Sequence, residues 1–142
     1  MKLVLEHVSK SFGANCVLKD VSLTIPRGAI MVMLGPSGTG KSVLLRCLVG
    51  LMKPDAGKIY VFGDEITKLD ENSSRDRDRL FALRRRFGML FQDGALFDDM
   101  TVGENVAFPM RQHTRDPDSV IRDKVNDYLK RVGLPNAVDK MP

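Results

Sequence analysis

Apolar positions change their period several times along the chain, and each change marks an element. Residues 2–9 alternate with Leu3 and Leu5 on one face, and Val21, Leu23 and Ile25 alternate with Ser22 and Thr24. That period of two predicts half-buried strands. Pro26-Arg27-Gly28 turns the chain. Residues 29–34 are apolar without interruption, which predicts a central parallel strand covered on both faces by helices. Directly behind it come the glycine-rich run Gly35-Pro-Ser-Gly-Thr-Gly40 and a helix-length apolar segment from Lys41 to Leu51. The order is strand, loop, helix.

Further on, Lys53-Pro54-Asp55-Ala56-Gly57 is turn chemistry, and residues 58–62 return as a β-rich strand. Residues 71–79 carry six charges together with Asn72, Ser73 and Ser74, which predicts a solvated loop leading into a helix that ends near Arg86. Residues 87–91 read as another buried strand. After that the last third turns helical. Thr101-Val-Gly-Glu104 has the spacing of a capping box, and Asp116-Pro117 offers a cap with a first-turn proline. Ile121, Val125, Leu129 and Val132 then recur at helical spacing until Gly133 and Pro135 stop the pattern. No internal repeat is present.

Composition narrows the class. With 142 residues, 43% hydrophobic and 28% charged, the chain fits one soluble globular domain and is neither collagen-like nor disordered throughout. The longest apolar run is six residues, against roughly 20 for a membrane-spanning helix. Lys2, Glu6 and His7 interrupt the N-terminal apolar stretch too early for a secretory signal, so a cytoplasmic location is expected. Cys16 and Cys47 form no Cys-x-x-Cys pair and read as reduced, buried, structural residues. The net charge of +4 is spread out, with +3 over residues 1–70 and +1 over 71–142. Only Arg84-Arg85-Arg86 clusters, at a helix end where cations complement the dipole, so nucleic acid is not an expected partner.

The chemistry centres on the glycine-rich loop. Gly35-Pro36-Ser37-Gly38-Thr39-Gly40-Lys41-Ser42 matches the phosphate-binding P-loop without departure and sits between a strand and a helix, the context that the motif requires. Its glycines let backbone N–H groups converge on a polyphosphate, and the following helix adds the positive end of its dipole. Lys41 is placed to reach the outer phosphates and the Ser42 hydroxyl to ligate Mg²⁺, which makes ATP and Mg²⁺ the expected cofactors. A second candidate, Ile59-Tyr-Val-Phe62-Gly63-Asp64-Glu65, has the look of an apolar strand followed by magnesium-binding carboxylates. Gly63 intervenes, however, and one added residue turns a carboxylate to the other face of a strand. Asp64 and Glu65 therefore read as turn residues.

Taken together, these residues resemble the ATP-binding subunits of ABC transporters. The resemblance runs over the whole chain: besides the P-loop it includes Val8-Ser9-Lys10-Ser11-Phe12-Gly13, Leu18-Lys19-Asp20-Val21-Ser22-Leu23, Gly50-Leu51 through Pro54-Asp55-x-Gly57, and Arg85-Arg86-Phe87-Gly88-Met89-Leu90-Phe91-Gln92. It implies an α/β P-loop NTPase fold of the ABC type, present in part. Residues 1–92 would form the antiparallel β-subdomain and P-loop core, and residues 93–142 the start of the helical subdomain. It also implies that Phe12 stacks on the adenine, for which a flat ring is suited, the competing role being a core aromatic. Gln92 would be the Q-loop glutamine near Mg²⁺ and the attacking water, since an amide can both ligate and accept; otherwise it is a polar residue ending a strand. Val43 stands where the family commonly has Thr, which leaves the phosphate contacts intact.

Residues 91–109, with Gly-Thr-Gly-Lys-Ser-Val-Leu-Leu45, are similar to a narrower subgroup. Its members are the ATPases of phospholipid-trafficking transporters that maintain outer-membrane lipid asymmetry, and of the related Mce systems. The resemblance implies a second ATP-binding subunit and transmembrane permease subunits as partners, the latter contacted through Gly94, Ala95, Leu96 and Phe97. It places the protein peripherally on the cytoplasmic face of the inner membrane, reaching lipid only through partners.

No Leu-Ser-Gly-Gly signature occurs in the 142 residues, nor an acceptable Walker B strand with a following glutamate. His7 and His113 match no switch-histidine context. Phosphate binding alone does not position water or stabilise the charge that develops in flight, so turnover by this chain alone is not expected. The resemblance further implies that the strands flanking residues 29–34 lie beyond Pro142, which predicts exposed apolar surface on residues 29–34 and 87–91. A non-catalytic nucleotide-binding or interaction fragment, and a soluble ABC ATPase acting on nucleic acid, are the alternative readings.

Overall fold

A computed structural model describes residues 2–91 and 94–142. The chain divides into two compact units, Met1–Gly88 and Met89–Pro142.

The first unit is built on an antiparallel sheet. Strands β1 (Leu3–Phe12) and β2 (Asn15–Ile25) form a hairpin that pairs Leu3 with Ile25 and Phe12 with Asn15, turning at Gly13 with φ +59°. Strand β3 (Ala56–Val61) adds to the other edge of β1, and a two-residue strand, β4 (Asp64–Glu65), completes the order β2-β1-β3-β4. Gly57 lies so close to β1 that a Cβ there would collide with the carbonyls of Glu6 and His7. It therefore belongs to β3 by close approach, not to a turn as its neighbours in sequence suggest. Helix α1 (Lys41–Leu48) packs Leu44, Cys47 and Leu48 into one core with Leu5, Ile59 and Val61 of the sheet.

Helix α2 (Ser74–Arg84) occupies much of the stretch expected as a solvated loop. The charges concealed it: Asp76 and Arg79 lie one turn apart, while Leu80 and Leu83 are buried. Arg84 closes the helix, donating to the Gly50 carbonyl and to Glu71, and the Arg86 guanidinium lies 4.0 Å over Phe62, which stacks on Phe87. These cations are held within the fold.

Two expected strands are absent from the sheet. Residues 29–34 form no ladder, with Ile30 94% and Leu34 91% exposed, and residues 87–91 likewise carry Leu90 at 89% exposure. Their apolar pattern describes what the segments could bury. A strand, however, exists only where a neighbour takes up its backbone N–H and C=O groups, and among the described residues no segment pairs with either. The expectation of exposed apolar surface on both holds. Cys16, expected buried, is exposed, whereas Cys47 is buried and its thiol is pushed up by desolvation.

The second unit contains α3 (Val102–His113) and α4 (Asp118–Arg131), which share Ala107, Ile121, Val125 and Leu129 as a small core. The capping box forms as its spacing predicts: Thr101 Oγ1 accepts from the Glu104 N–H at 3.1 Å, and Glu104 Oε2 accepts from the Thr101 N–H at 2.7 Å. At α4 the expectation shifts by one residue. Pro117 is the cap, because the Asp116 carboxylate pairs instead with Lys124 Nζ at 2.6 Å. Val132 lies past the helix end and is exposed.

Candidate phosphate-binding site

The site begins with how α1 starts. Its cap is Gly40, at φ +90°, with no side-chain hydrogen bond to the first turn and no acidic residue in that turn. The leading N–H groups of a helix have no intrahelical partner and carry the positive end of the dipole. Leaving them uncapped by protein groups is what an anion site requires. Gly40 is also where the loop meets the sheet. A Cβ there would fall 2.8 Å from Val17 Cγ1 and 3.0 Å from the Val17 carbonyl oxygen, so the close approach of α1 to β2 demands glycine.

The loop before it, Gly35, Pro36, Ser37, Gly38 and Thr39, is exposed, and Gly38 adopts φ +82°. Lys41 folds back over this loop. Its ammonium donates to the carbonyls of Gly35 at 2.7 Å and Pro36 at 2.6 Å and lies 3.4 Å from Thr39 Oγ1, which itself donates to the Pro36 carbonyl at 2.9 Å. The cation is thus held by neutral dipoles that phosphate oxygens can replace with stronger, charge-assisted bonds. Ser42 is exposed on α1, while Val43 is half-buried against the core. The Val43 side chain anchors the helix, which leaves its backbone N–H as the group able to meet a ligand.

These features fit a triphosphate with Mg²⁺. Magnesium keeps most of its ligands as water and phosphate and needs few from protein, so one exposed hydroxyl at the loop is an adequate protein contribution. Among the described residues no cluster of three or more His, Cys, Asp or Glu is placed to hold a metal. Asp64 and Glu65 fall in a tight β3–β4 hairpin turning at Phe62 and Gly63, both at positive φ. Asp64 lies 3.5 Å from Arg79. Glu65 is 2.7 Å from Lys68, whose hydrogen bond holds the carboxyl below its ordinary range. Both serve the fold.

Phe12 ends β1 and is 49% exposed. Gln92, expected beside Mg²⁺ and water, lies outside the described residues. His7 pairs with Asp20 at 2.7 Å, and His113 is exposed at the end of α3. In the second unit Gly94 and Ala95 take positive φ, Leu96 and Phe97 are exposed, and the Phe97 ring lies 4.8 Å from that of Phe108.

Sequence reasoning gave no role to Asn105, yet it organises this last segment. Its side-chain oxygen accepts from the Phe97 N–H at 2.8 Å, and its amide nitrogen lies 3.0 Å from the carbonyls of Phe97, Met100 and Thr101. An asparagine in the first turn of a helix, just after a loop, was the available signal. Asp55 was missed too, because its partners Lys10 and Ser11 lie more than forty residues away.

Residues 18–142 match the family described as "ABC transporter". Over all 142 residues the chain is 47% identical to the probable ribonucleotide transport ATP-binding protein mkl of Mycobacterium tuberculosis H37Rv, covering 38% of that protein. It is 43% identical over 138 residues, 97% of this chain, to the intermembrane phospholipid transport system ATP-binding protein MlaF of Escherichia coli K12, covering 49% of it. The chain therefore spans less than half the length of these relatives. Among solved structures, the dimeric ATP-binding cassette MJ0796 in a post-hydrolysis state with ADP and Pi superposes with a TM-score of 0.84 at 30% identity, covering 99% of this chain and 61% of that one.

Proposed function

The chain belongs to the ABC transporter family, and from that premise we propose that it binds Mg²⁺-ATP as part of a transporter's ATP-binding subunit. Residues 35–43 cradle the phosphates through backbone N–H groups, Lys41 pairs with the outer phosphates, Ser42 ligates Mg²⁺, and Phe12 carries the adenine. The observation that supports this most directly is the uncapped start of α1 behind Gly40, with the Lys41 ammonium resting on replaceable carbonyls. Residues 1–92 are the β-subdomain and phosphate core of the cassette, and residues 93–142 open its helical subdomain.

In the whole protein, ATP binding and hydrolysis drive transport, with phospholipid as the cargo, a reading supported by the likeness to MlaF. A second ATP-binding subunit completes the hydrolytic site, with Gln92 positioning water and Mg²⁺ there. Leu96 and Phe97, with Gly94 and Ala95, meet a permease subunit at the cytoplasmic face of the inner membrane. Among the described residues no helix is long and apolar enough to cross a membrane.

Titration of this chain with a fluorescent ATP analogue and Mg²⁺ tests the nucleotide assignment. Saturable binding is expected, and Lys41→Ala should weaken it about 10- to 150-fold, the loss of charged hydrogen bonds worth roughly 1.5–3 kcal/mol, with helix content unchanged. Absence of binding, or unaltered binding in the variant, refutes the assignment. For cargo, the full-length assembly should move labelled phospholipid only with ATP and only with Lys41 intact.

A further inference from the structure

The tip of the β1–β2 hairpin is held by a residue distant in sequence. Asp55, in the turn before β3, accepts from Lys10 Nζ at 2.6 Å and from the Ser11 backbone N–H at 2.7 Å, while its own N–H donates to the Ser9 carbonyl at 2.9 Å. Three consecutive residues of β1 are thereby tied to one aspartate. The Lys10 side chain is only 17% exposed, and its ammonium lies 5.7 Å from the centre of the Phe12 ring. The cation that Asp55 fixes is therefore the cation against the aromatic ring.

Register links this cluster to the phosphate loop. Lys10 pairs across the hairpin with Leu18, and Leu18 with Val17 forms the wall on which Gly40 closes. Phe12 stands two residues, roughly 7 Å, further along the same strand. We propose that Lys10 and Asp55 are positioning residues for Phe12, holding its ring ready for the base of a nucleotide whose phosphates sit at Gly40. This rests on the reading that the adenine stacks on Phe12. A half-exposed ring at a hairpin tip otherwise samples several rotamers, and a ring fixed beforehand loses less freedom when the base arrives. The carboxylate neutralises the ammonium, so the pair acts through the ring and not through charge on the phosphates.

That difference gives the test its sign. Binding of ATP and of inorganic tripolyphosphate, which has no base, is measured on the same proteins by competition calorimetry. Asp55→Asn removes a negative charge, so a direct electrostatic effect would tighten both ligands together. Loss of positioning weakens ATP alone, by about 3- to 10-fold, a fraction of a full base–aromatic stack. Lys10→Met should weaken ATP similarly, and Lys10→Arg, which can keep both the ion pair and the ring contact, should recover most of it. Phe12→Ala should cost ATP on the order of tenfold, and Asp55→Asn should cost nothing more in its background, because it acts through the missing ring. The proposal is overturned if ATP and tripolyphosphate weaken in step, or if the double variant multiplies the two effects. Should Phe12→Ala leave ATP binding unchanged, the adenine reading fails first and the positioning role with it. If Phe12→Ala discriminates while Asp55→Asn and Lys10→Met do not, only the positioning role is lost. Far-UV circular dichroism confirms that each variant folds, and the Lys10 pair carries the test if Asp55→Asn does not.

Discussion

Replacing Gly40 with alanine separates two costs that the glycine-rich loop imposes. The first is conformational: at φ +90° an L-residue gives up roughly 1–2 kcal/mol. The second is steric. The added methyl would sit 2.8 Å from Val17 Cγ1, 3.0 Å from the Val17 carbonyl oxygen and 3.2 Å from Leu18 Cδ2. Valine is stiff about χ1, and the carbonyl cannot yield without moving β2, so an overpacking cost of about 1–3 kcal/mol applies. Together Gly40→Ala should destabilise the first unit by about 2–5 kcal/mol, a large part of the roughly 5–15 kcal/mol that a domain commonly has. Gly38→Ala supplies the control. Its φ is similar, +82°, but an added Cβ meets nothing within 4 Å, so only the conformational cost of about 1–2 kcal/mol applies.

Urea unfolding followed by far-UV circular dichroism reads the difference. With a slope of about 1–3 kcal/mol per molar urea, Gly40→Ala should lower the midpoint by on the order of 1–2 M, clearly more than Gly38→Ala. It should also weaken ATP, because relieving the contact pushes the start of α1 away from β2 and the amides with it. Equal midpoints for the two variants would show that the contact with Val17 does not constrain the loop, and the account of Gly40 would fall.

Other expectations follow from single clusters. Asn105→Ala removes the bonds that tie residues 97–101 to α3; at about 1 kcal/mol per net bond, the second unit should lose roughly 2–3 kcal/mol. The Phe97 amide should then exchange with solvent much faster by hydrogen-exchange NMR, and unchanged protection would refute the clamp. Acid should also weaken the fold. Asp55, Glu65, Glu104 and Asp116 are held below their ordinary range, chiefly by hydrogen bonds from Lys10, Lys68, the Thr101 N–H and Lys124 respectively. Their contribution is complete above the unfolded value of about 4 and disappears as pH falls through the lower folded values. Lys68 and Lys124 are raised by the same pairs, so their share is present at neutral pH and lost only as pH rises beyond about 10. The urea midpoint should be level between about pH 5 and 8, and a level midpoint down to pH 3 would contradict the carboxylate assignments.

What the sequence made legible was local. Gly40-Lys41-Ser42 announces an uncapped helix start because the motif and the helix are contiguous, and Thr101 with Glu104 closes a capping box three residues apart. The fold class followed from motifs spread over the whole chain. Illegible features depend on partners elsewhere. Residues 29–34 have a strand's composition, but no stretch of sequence states whether a neighbour pairs with them. Asp116 looks like a helix cap until Lys124, eight residues on, takes its carboxylate. The tie from Asp55 to Lys10 has no local signature at all, since neither residue type predicts the other across 45 positions.

The same contrast explains how the start of α1 is built although residues 29–34 form no strand. The position of α1 is set by Gly40 against Val17 and by Leu44, Cys47 and Leu48 against Leu5, Ile59 and Val61, all contacts with the antiparallel sheet. None of them needs residues 29–34 in a ladder. The start of α1 is therefore held against the sheet. Ile30, Met31, Val32 and Leu34 remain exposed, and burying four such side chains is worth at most on the order of 6–12 kcal/mol. A chain segment that covers them would gain that stabilisation.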